Sequence, residues 1–226
     1  MDFPTIVVNM KAYPQVLGED SVKLSKDVAE VGQEKDIGVG VSPQHASLYR
    51  VTSEVDVPVF AQHVDPIEPG RGTGTSLPES VKKAGAVGSL VNHSEKQMEM
   101  EKIEKSVERL EELGLTTIVC AEDVETAGKV AEFGPDMVAV EPPELIGSGR
   151  SVSQVNPDII EETVEEVNSV DPDVHVLCGA GVSTGEDVKI AIELGAEGIL
   201  IASAVAKADD PKEKMSELAE GALAAK

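Results

Sequence analysis

Cysteine is nearly missing from this chain. Only Cys120 and Cys178 are present, and they form no C-x-x-C pair. That excludes a disulfide framework and a cysteine-based zinc site, and it fits a reducing compartment, the cytoplasm. Tryptophan is absent and aromatic residues make up 2% of the sequence. Positive charge is scarce as well: Lys plus Arg number 19 against 42 Asp plus Glu, for a formal net charge of −23. Such a balance opposes binding to nucleic acid or to anionic lipid, both of which need basic patches. It also repels an anionic substrate at long range, so any phosphate site must work by local contacts. No apolar run is long enough to span a bilayer, and no charged leader precedes an apolar segment, so neither a membrane span nor a signal peptide is expected. The four histidines, His45, His63, His93 and His175, form no pair at metal-ligand spacing. Gly70-x-Gly72-x-Gly74 does not join a strand to a helix, which makes it a poor dinucleotide site. No metal and no cofactor is expected.

What the chain does have is dispersed acid and regular alternation. The acids are spread along the sequence instead of gathered in a tail, which points to a solvated surface and to life in high salt, where screening removes self-repulsion. An ordinary acidic protein is the other reading. The 226 residues fit one domain, 1–226. Eight short apolar runs read as strands: Thr5–Asn9, Ile37–Val41, Val57–Gln62, Ala86–Asn92, Thr117–Ala121, Met137–Val140, Val174–Gly179 and Gly198–Ala202. Helical patterns follow most of them. Val22, Val28 and Val31 lie in the first. Met100, Ile103, Val107 and Leu110 recur at helical spacing behind a capping box, Ser94-x-x-Gln97. Asn156-Pro157 opens a helix with Ile160, Val164 and Val167 on one face, Ser183-x-x-Glu186 opens another, and Asp210-Pro211 a last one. Alternation of strand and helix predicts a parallel sheet, either doubly wound and open or closed into a (β/α)₈ barrel.

The polar residues decide between the two. Asn9 and Lys11 end the first run, Asn92 and His93 the fourth, Glu141 the sixth, Gly179 to Gly181 the seventh, and Ala202-Ser203 the eighth. An open sheet gathers function at one switch point, whereas only a ring brings five strand ends to a common carboxyl face. A closed eight-stranded barrel is therefore expected. Lys11 directly follows a buried run, where lysine is costly without a partner, and its ammonium could hold an anion. His93 precedes the helix expected from Ser94, whose amino end disfavours imidazolium, so the ring should be neutral. Cys178-Gly179-Ala180-Gly181-Val182 with a Ser183 cap could form an amide nest for phosphate, next to a close backbone approach at Ala202-Ser203. Glu141 opens the stretch Glu141-Pro142-Pro143-Glu144-Leu145-Ile146-Gly147-Ser148-Gly149. That is a carboxylate, a stiff proline exit, an apolar tip and a glycine hinge, which together suit a base under a lid. Each feature also has a plain reading: a surface lysine, a core histidine, a tight turn, a solvated glutamate in an ordinary loop.

Taken in order, Asn9-Met10-Lys11, Gly72-Thr73-Gly74-Thr75-Ser76, Asn92-His93-Ser94-Glu95, Ile118-Val119-Cys120-Ala121-Glu122, Glu141-Pro142-Pro143-Glu144-Leu145-Ile146-Gly147, Cys178-Gly179-Ala180-Gly181 and Ala202-Ser203 resemble the triosephosphate isomerase family from end to end. The likeness is to its short archaeal form, and the acidity is similar to that of haloarchaeal proteins. The resemblance implies interconversion of dihydroxyacetone phosphate and glyceraldehyde 3-phosphate through an enediolate, in glycolysis and gluconeogenesis. It implies that Asn9 and Lys11 bind substrate, that His93 is the electrophile and Glu141 the base, and that Lys11 shares in stabilising the charge. Ile146, Gly147, Gly181, Ala202 and Ser203 would line the phosphate end, Glu95 would be a supporting acid, and Pro142–Gly149 would be the lid. The Gly72–Ser76 loop resembles one that inserts into a neighbouring subunit, with Thr73 at its tip. Longer members carry serine where Gly181 stands and Gly-Gly where Ala202-Ser203 stands. The segment from Cys120 to Glu141 is also short, so a reduced helix is expected there. Such trimming goes with a homotetramer, a dimer of dimers, in preference to a plain dimer. Two other functions remain open at this point: a Schiff-base aldolase with Lys11 as nucleophile, and a non-catalytic phospho-sugar sensor.

Overall fold

The computed structural model describes residues 2–142 and 158–225. Its strands are β1 (Thr5–Asn9), β2 (Gly38–Ser42), β3 (Phe60–Ala61), β4 (Gly88–Val91), β5 (Thr116–Ala121), β6 (Met137–Val140), β7 (His175–Cys178) and β8 (Gly198–Ile201). Each falls on one of the eight apolar runs. The helices among the described residues are α1 (Glu19–Lys35), α2 (His45–Glu54), α3 (Pro78–Lys83), α4 (Met100–Glu112), α5 (Val124–Ala131), α6 (Asp158–Val170), α7 (Gly185–Glu193), α8 (Ser203–Ala206) and α9 (Pro211–Ala224). The strands pair in the order β2-β1-β8-β7-β6-β5-β4-β3, every pairing parallel. The two ends of that order meet through a single bridge, Val41 to Val59, where the Val41 amide donates to the Pro58 carbonyl at 2.9 Å. The fold is thus a nearly closed (β/α)₈ barrel, as the five separated strand ends require.

Strands in such a barrel are buried on both faces, which is why they read as unbroken apolar runs and not as alternating ones. β1 is buried along its whole length, with Val7 in the barrel interior and Ile6 and Val8 in the layer between strands and helices. Phe60, Leu90, Ile118, Met137, Leu177 and Leu200 join Val7 inside. Burying each such side chain contributes roughly 1.5–3 kcal/mol. This plug makes the barrel a packed core and leaves function to its carboxyl mouth. The outer layer takes one face of each helix: Val22, Val28 and Val31 of α1, Ile103, Val107 and Leu110 of α4, and Ile160 and Val167 of α6, with Val164 partly buried. Met100, at the first position of α4, is 38% exposed and stands outside that face.

Two expected caps form differently. Residues Ser94–Lys96 make a short 3₁₀ turn, and α4 begins only at Met100, so no Ser94–Gln97 capping box exists. The α7 box shifts by one residue, from Ser183 and Glu186 to Thr184 and Asp187. Asp210 caps α9 ahead of Pro211 as expected, its Oδ1 accepting from the Glu213 amide at 3.0 Å. Asn156-Pro157 lies outside the described residues. Between Cys120 and Glu141, α5 is a short helix of 8 residues. Among the described residues no helix is long and apolar enough to cross a membrane.

Candidate active site

The end of β1 delivers a buried Asn9 and then turns sharply. Lys11 has φ +47°, the left-handed region, which costs a non-glycine residue roughly 1–2 kcal/mol. Several fastenings hold it there. Its amide donates to Asn9 Oδ1 at 2.9 Å, and its carbonyl accepts from Gln44 Nε2 at 2.8 Å and from Gln62 Nε2 at 3.0 Å. Gln44 and Gln62 are bonded to each other at 2.8 Å. Neither glutamine was singled out from sequence. Gln62 did stand at the end of an apolar run like the other candidates, and that was the available signal. The Lys11 side chain is only 10% exposed, and its Nζ lies 2.9 Å from Glu95 Oε1. The ammonium is thereby aimed and still close to the surface of the mouth.

β4 leads to Asn92, whose φ of +59° is fixed at both ends of its amide. Nδ2 donates to the Cys120 carbonyl at 2.9 Å and Oδ1 accepts from the Met98 amide at 2.9 Å. His93 follows, buried at 6% exposure. Its Nδ1 accepts from the Glu95 amide at 3.1 Å, so the ring hydrogen sits on Nε2. Burial, and then the nearby Lys11 charge, push the imidazole down to about 4 from its ordinary 6.5. The neutral ring expected from sequence is present, but its main cause is different. Desolvation leads, and the helix expected at Ser94 is a single 3₁₀ turn.

Glu141 leaves the end of β6 at only 4% exposure, which rules out the solvated-loop reading. Its amide donates to the Ala121 carbonyl at 2.7 Å, tying it to the neighbouring strand. Burial raises the carboxyl to about 7; the Cys120 thiol, the Lys11 charge and the Ser94 amide oppose that rise. Glu141 Oε1 lies 3.5 Å from His93 Nε2. Glu141 Oε2 and His93 Nε2 are both buried without a hydrogen-bond partner among the described residues. On its other side Glu141 rests on Gly179, where an added Cβ would stand 2.5 Å from Glu141 Cγ. Only glycine fits there.

Asn9, Lys11, His93, Glu95, Glu141, Gly181, Ala202 and Ser203 all line one cavity of about 390 Å³ at the carboxyl mouth. At its far side the loop from β7 to α7 passes through Gly181 at φ +68°. Ala202 stands beside it as the residue before the four-residue α8. Ile146 and Gly147, with most of the Pro142–Gly149 lid, lie outside the described residues. No cluster of three or more His, Cys, Asp or Glu side chains suited to a metal ion occurs among the described residues.

A carboxyl poised near 7 beside a neutral imidazole is equipped to take a proton from carbon and to steady the oxygen that gains charge. Fold and site together define a barrel enzyme of the proton-transfer type. A family model described as triosephosphate isomerase matches residues 4–221. Curated triosephosphate isomerases are similar over nearly the whole chain. That of Methanothermus fervidus is 52% identical, covering 96% of this chain and 98% of the relative. That of Methanobacterium bryantii is 48% identical, covering 95% of each. That of Methanocaldococcus jannaschii is 47% identical, covering 94% and 97%. The chain belongs to the triosephosphate isomerase family, in its archaeal type, and has that family's intramolecular isomerase activity.

Proposed function

We propose that the chain interconverts dihydroxyacetone phosphate and D-glyceraldehyde 3-phosphate through an enediolate, with Glu141 as the base and His93 as the electrophile. Glu141 removes the proton from one carbon and returns it to its neighbour. His93 Nε2–H donates to the oxygen where charge grows, and Lys11 adds a positive charge on the same side. A glutamate base beside a neutral imidazole is the pairing known for this family's own reaction. Asn9 orients substrate and Lys11 through its side chain. Gly181, Ala202 and Ser203, with Ile146 and Gly147, hold the phosphate, and Glu95 supports Lys11. Binding energy gathered on the phosphate, remote from the reacting carbons, keeps the reactive geometry. Closure of Pro142–Gly149 over the intermediate would exclude water and prevent phosphate loss.

The observation that carries this reading is the close approach of two buried side chains on one cavity with Lys11: Glu141 Oε1 lies 3.5 Å from His93 Nε2, and both His93 Nε2 and Glu141 Oε2 lack a hydrogen-bond partner among the described residues. A buried polar atom without a partner carries a free-energy penalty, and a substrate bearing both a carbonyl and an acidic C–H would relieve it. A coupled isomerase assay in high potassium chloride tests the reading. Turnover of dihydroxyacetone phosphate with solvent deuterium entering the product is expected, and failure of the purified, folded chain to turn over either triose phosphate would refute it.

The same reading extends to setting and assembly. The chain acts as one catalytic domain, 1–226, in the cytoplasm of a salt-adapted archaeon, with its acid surplus keeping the surface solvated where salt screens repulsion. It works as a homo-oligomer, a dimer of dimers in preference to a plain dimer. The segment Glu68–Thr75 supports this. It is exposed along its length, yet its base is tied by Ser76, whose amide donates to Asp65 Oδ2 at 2.7 Å. An exposed but anchored loop is suited to reach a neighbouring subunit.

A further inference from the structure

The phosphate end proposed above rests on a loop, Gly179–Ser183, that must hold a left-handed glycine and present its backbone to an anion. The residue that fixes it from beneath is Asp187, in the first turn of α7 and only 3% exposed. A single carboxylate oxygen, Oδ2, accepts from the Ser183 amide at 3.0 Å, the Ser183 hydroxyl at 3.2 Å and the Thr184 amide at 2.9 Å. In return Thr184 Oγ1 accepts from the Asp187 amide at 3.2 Å. From the other side α9 closes the arrangement. Glu217 Oε1 accepts from the Gly185 amide at 3.0 Å, and Lys214 Nζ, paired to Glu217 Oε2 at 2.5 Å, reaches the Ser183 carbonyl at 3.4 Å. The backing is close-packed, because a Cβ on Gly221 would meet the Gly185 carbonyl oxygen at 2.0 Å.

A buried carboxylate close to an anion site opposes binding through its charge, so electrostatics alone gives no reason for it to be there. Geometry does. An ionised carboxylate oxygen accepts several hydrogen bonds at once and makes each stronger than a neutral acceptor would. Three donors drawn to one point lock the end of the Gly181–Ser183 turn, and that turn lines the cavity. We propose that Asp187 is a positioning residue for phosphate: it never touches substrate but sets the loop backbone that does. This rests on the reading of the Gly181 and Ser203 side as the phosphate end.

The test uses Asp187→Ala and Asp187→Asn in the full-length protein in high salt, with fold checked by circular dichroism. Inorganic phosphate affinity is read by phosphorus NMR titration. Steady-state kinetics are run on glyceraldehyde 3-phosphate and on D-glyceraldehyde, which lacks the phosphate. Asp187→Ala is expected to weaken phosphate binding and kcat/KM on the phosphorylated substrate by about 10- to 100-fold. The loss should appear in kcat as well as KM, because phosphate binding also holds the reactive geometry, and kcat/KM on D-glyceraldehyde should hold within about 2-fold, since that substrate never uses the loop. Asp187→Asn, whose amide oxygen can take the place of Oδ2, should recover most of the loss. If Asp187→Ala does not fold, Asp187→Glu, which displaces the oxygen by about one methylene, is read in the same way. Unchanged phosphate affinity, or an equal loss on both substrates, overturns the proposal. A wild-type chain that isomerises nothing yet binds phosphate in an Asp187-dependent way would sink the proposed function and leave this inference standing.

Discussion

Glu141→Gln should stabilise the protein while abolishing its chemistry, and the gain should depend on pH. Burial lifts the Glu141 carboxyl from its ordinary 4.5 to about 7. The folded state therefore holds this proton over a range in which the unfolded chain has lost it. Below 4.5 the carboxyl is protonated in both states and no penalty exists. Between 4.5 and 7 the unfolded chain ionises first, and stability falls as pH rises. Above 7 the whole cost is present, about 3 kcal/mol for a carboxyl that titrates near 7 instead of 4.5. Glutamine keeps the shape and carries no charge to bury. Urea unfolding at fixed protein concentration and constant high salt, from pH 4 to pH 9, measures the difference between wild type and variant. Fixed concentration matters because the proposed subunit association would add to apparent stability. The expected gain is near zero at pH 4 and grows to about 3 kcal/mol above pH 7. A gain of the same size at every pH would refute the reasoning, because it would come from packing and not from a buried charge.

Gly179→Ala places a methyl 2.5 Å from Glu141 Cγ, and kcat should fall about 10²-fold with only a small change in KM; steady-state kinetics on a variant of native circular dichroism checks it. The His93 ring should remain neutral down to about pH 4, with its hydrogen on Nε2; nitrogen NMR of labelled histidine would show titration near 6.5 if burial and Lys11 do not act as described. Forty-two acids against 19 bases should repel as salt is withdrawn, because the screening length grows from about 3 Å at 1 M to about 30 Å at 0.01 M. Light scattering and thermal melts should show smaller particles and lower Tm in dilute buffer, and a mass and Tm constant from millimolar to molar salt would remove the halophile reading.

Much of this could be seen in the sequence because the fold is a parallel barrel. Strands buried on both faces appear as uniform apolar stretches, and function appears as the polar residue that ends each stretch. Asn9, Lys11, His93 and Glu141 were found that way and meet at one cavity. Local detail was less accessible. Ser183-x-x-Glu186 and Thr184-x-x-Asp187 are overlapping cap patterns, and the sequence alone does not say which forms; the buried Asp187 carboxylate decides it. The neutrality of His93 was expected from a helix that starts six residues later than supposed, at Met100. Desolvation supplies the effect, and desolvation depends on neighbours distant in the chain. Gln44 and Gln62 act by hydrogen-bonding the Lys11 carbonyl across the sheet; Gln62 at least ended an apolar run, whereas no local pattern marks Gln44. The acid surplus is the only basis for the proposed saline setting, whereas the relatives named above come from methanogens and bear on the archaeal type alone.

The measurement closest to the central claim is the steady-state kinetics of Glu141→Asp in high salt, set beside wild type. Aspartate keeps the carboxylate but withdraws it by about one methylene from the carbon it must deprotonate. A displacement near 1 Å can cost about 10²-fold in rate. In the proposed function binding rests mainly on Lys11 and the Gly181 and Ser203 loops, so affinity should barely move. The account predicts a fall in kcat of about 10²-fold at nearly constant KM, the pattern of an interaction used in the transition state. Turnover near the wild-type value would contradict it, and Glu141 would not be the group that moves the proton.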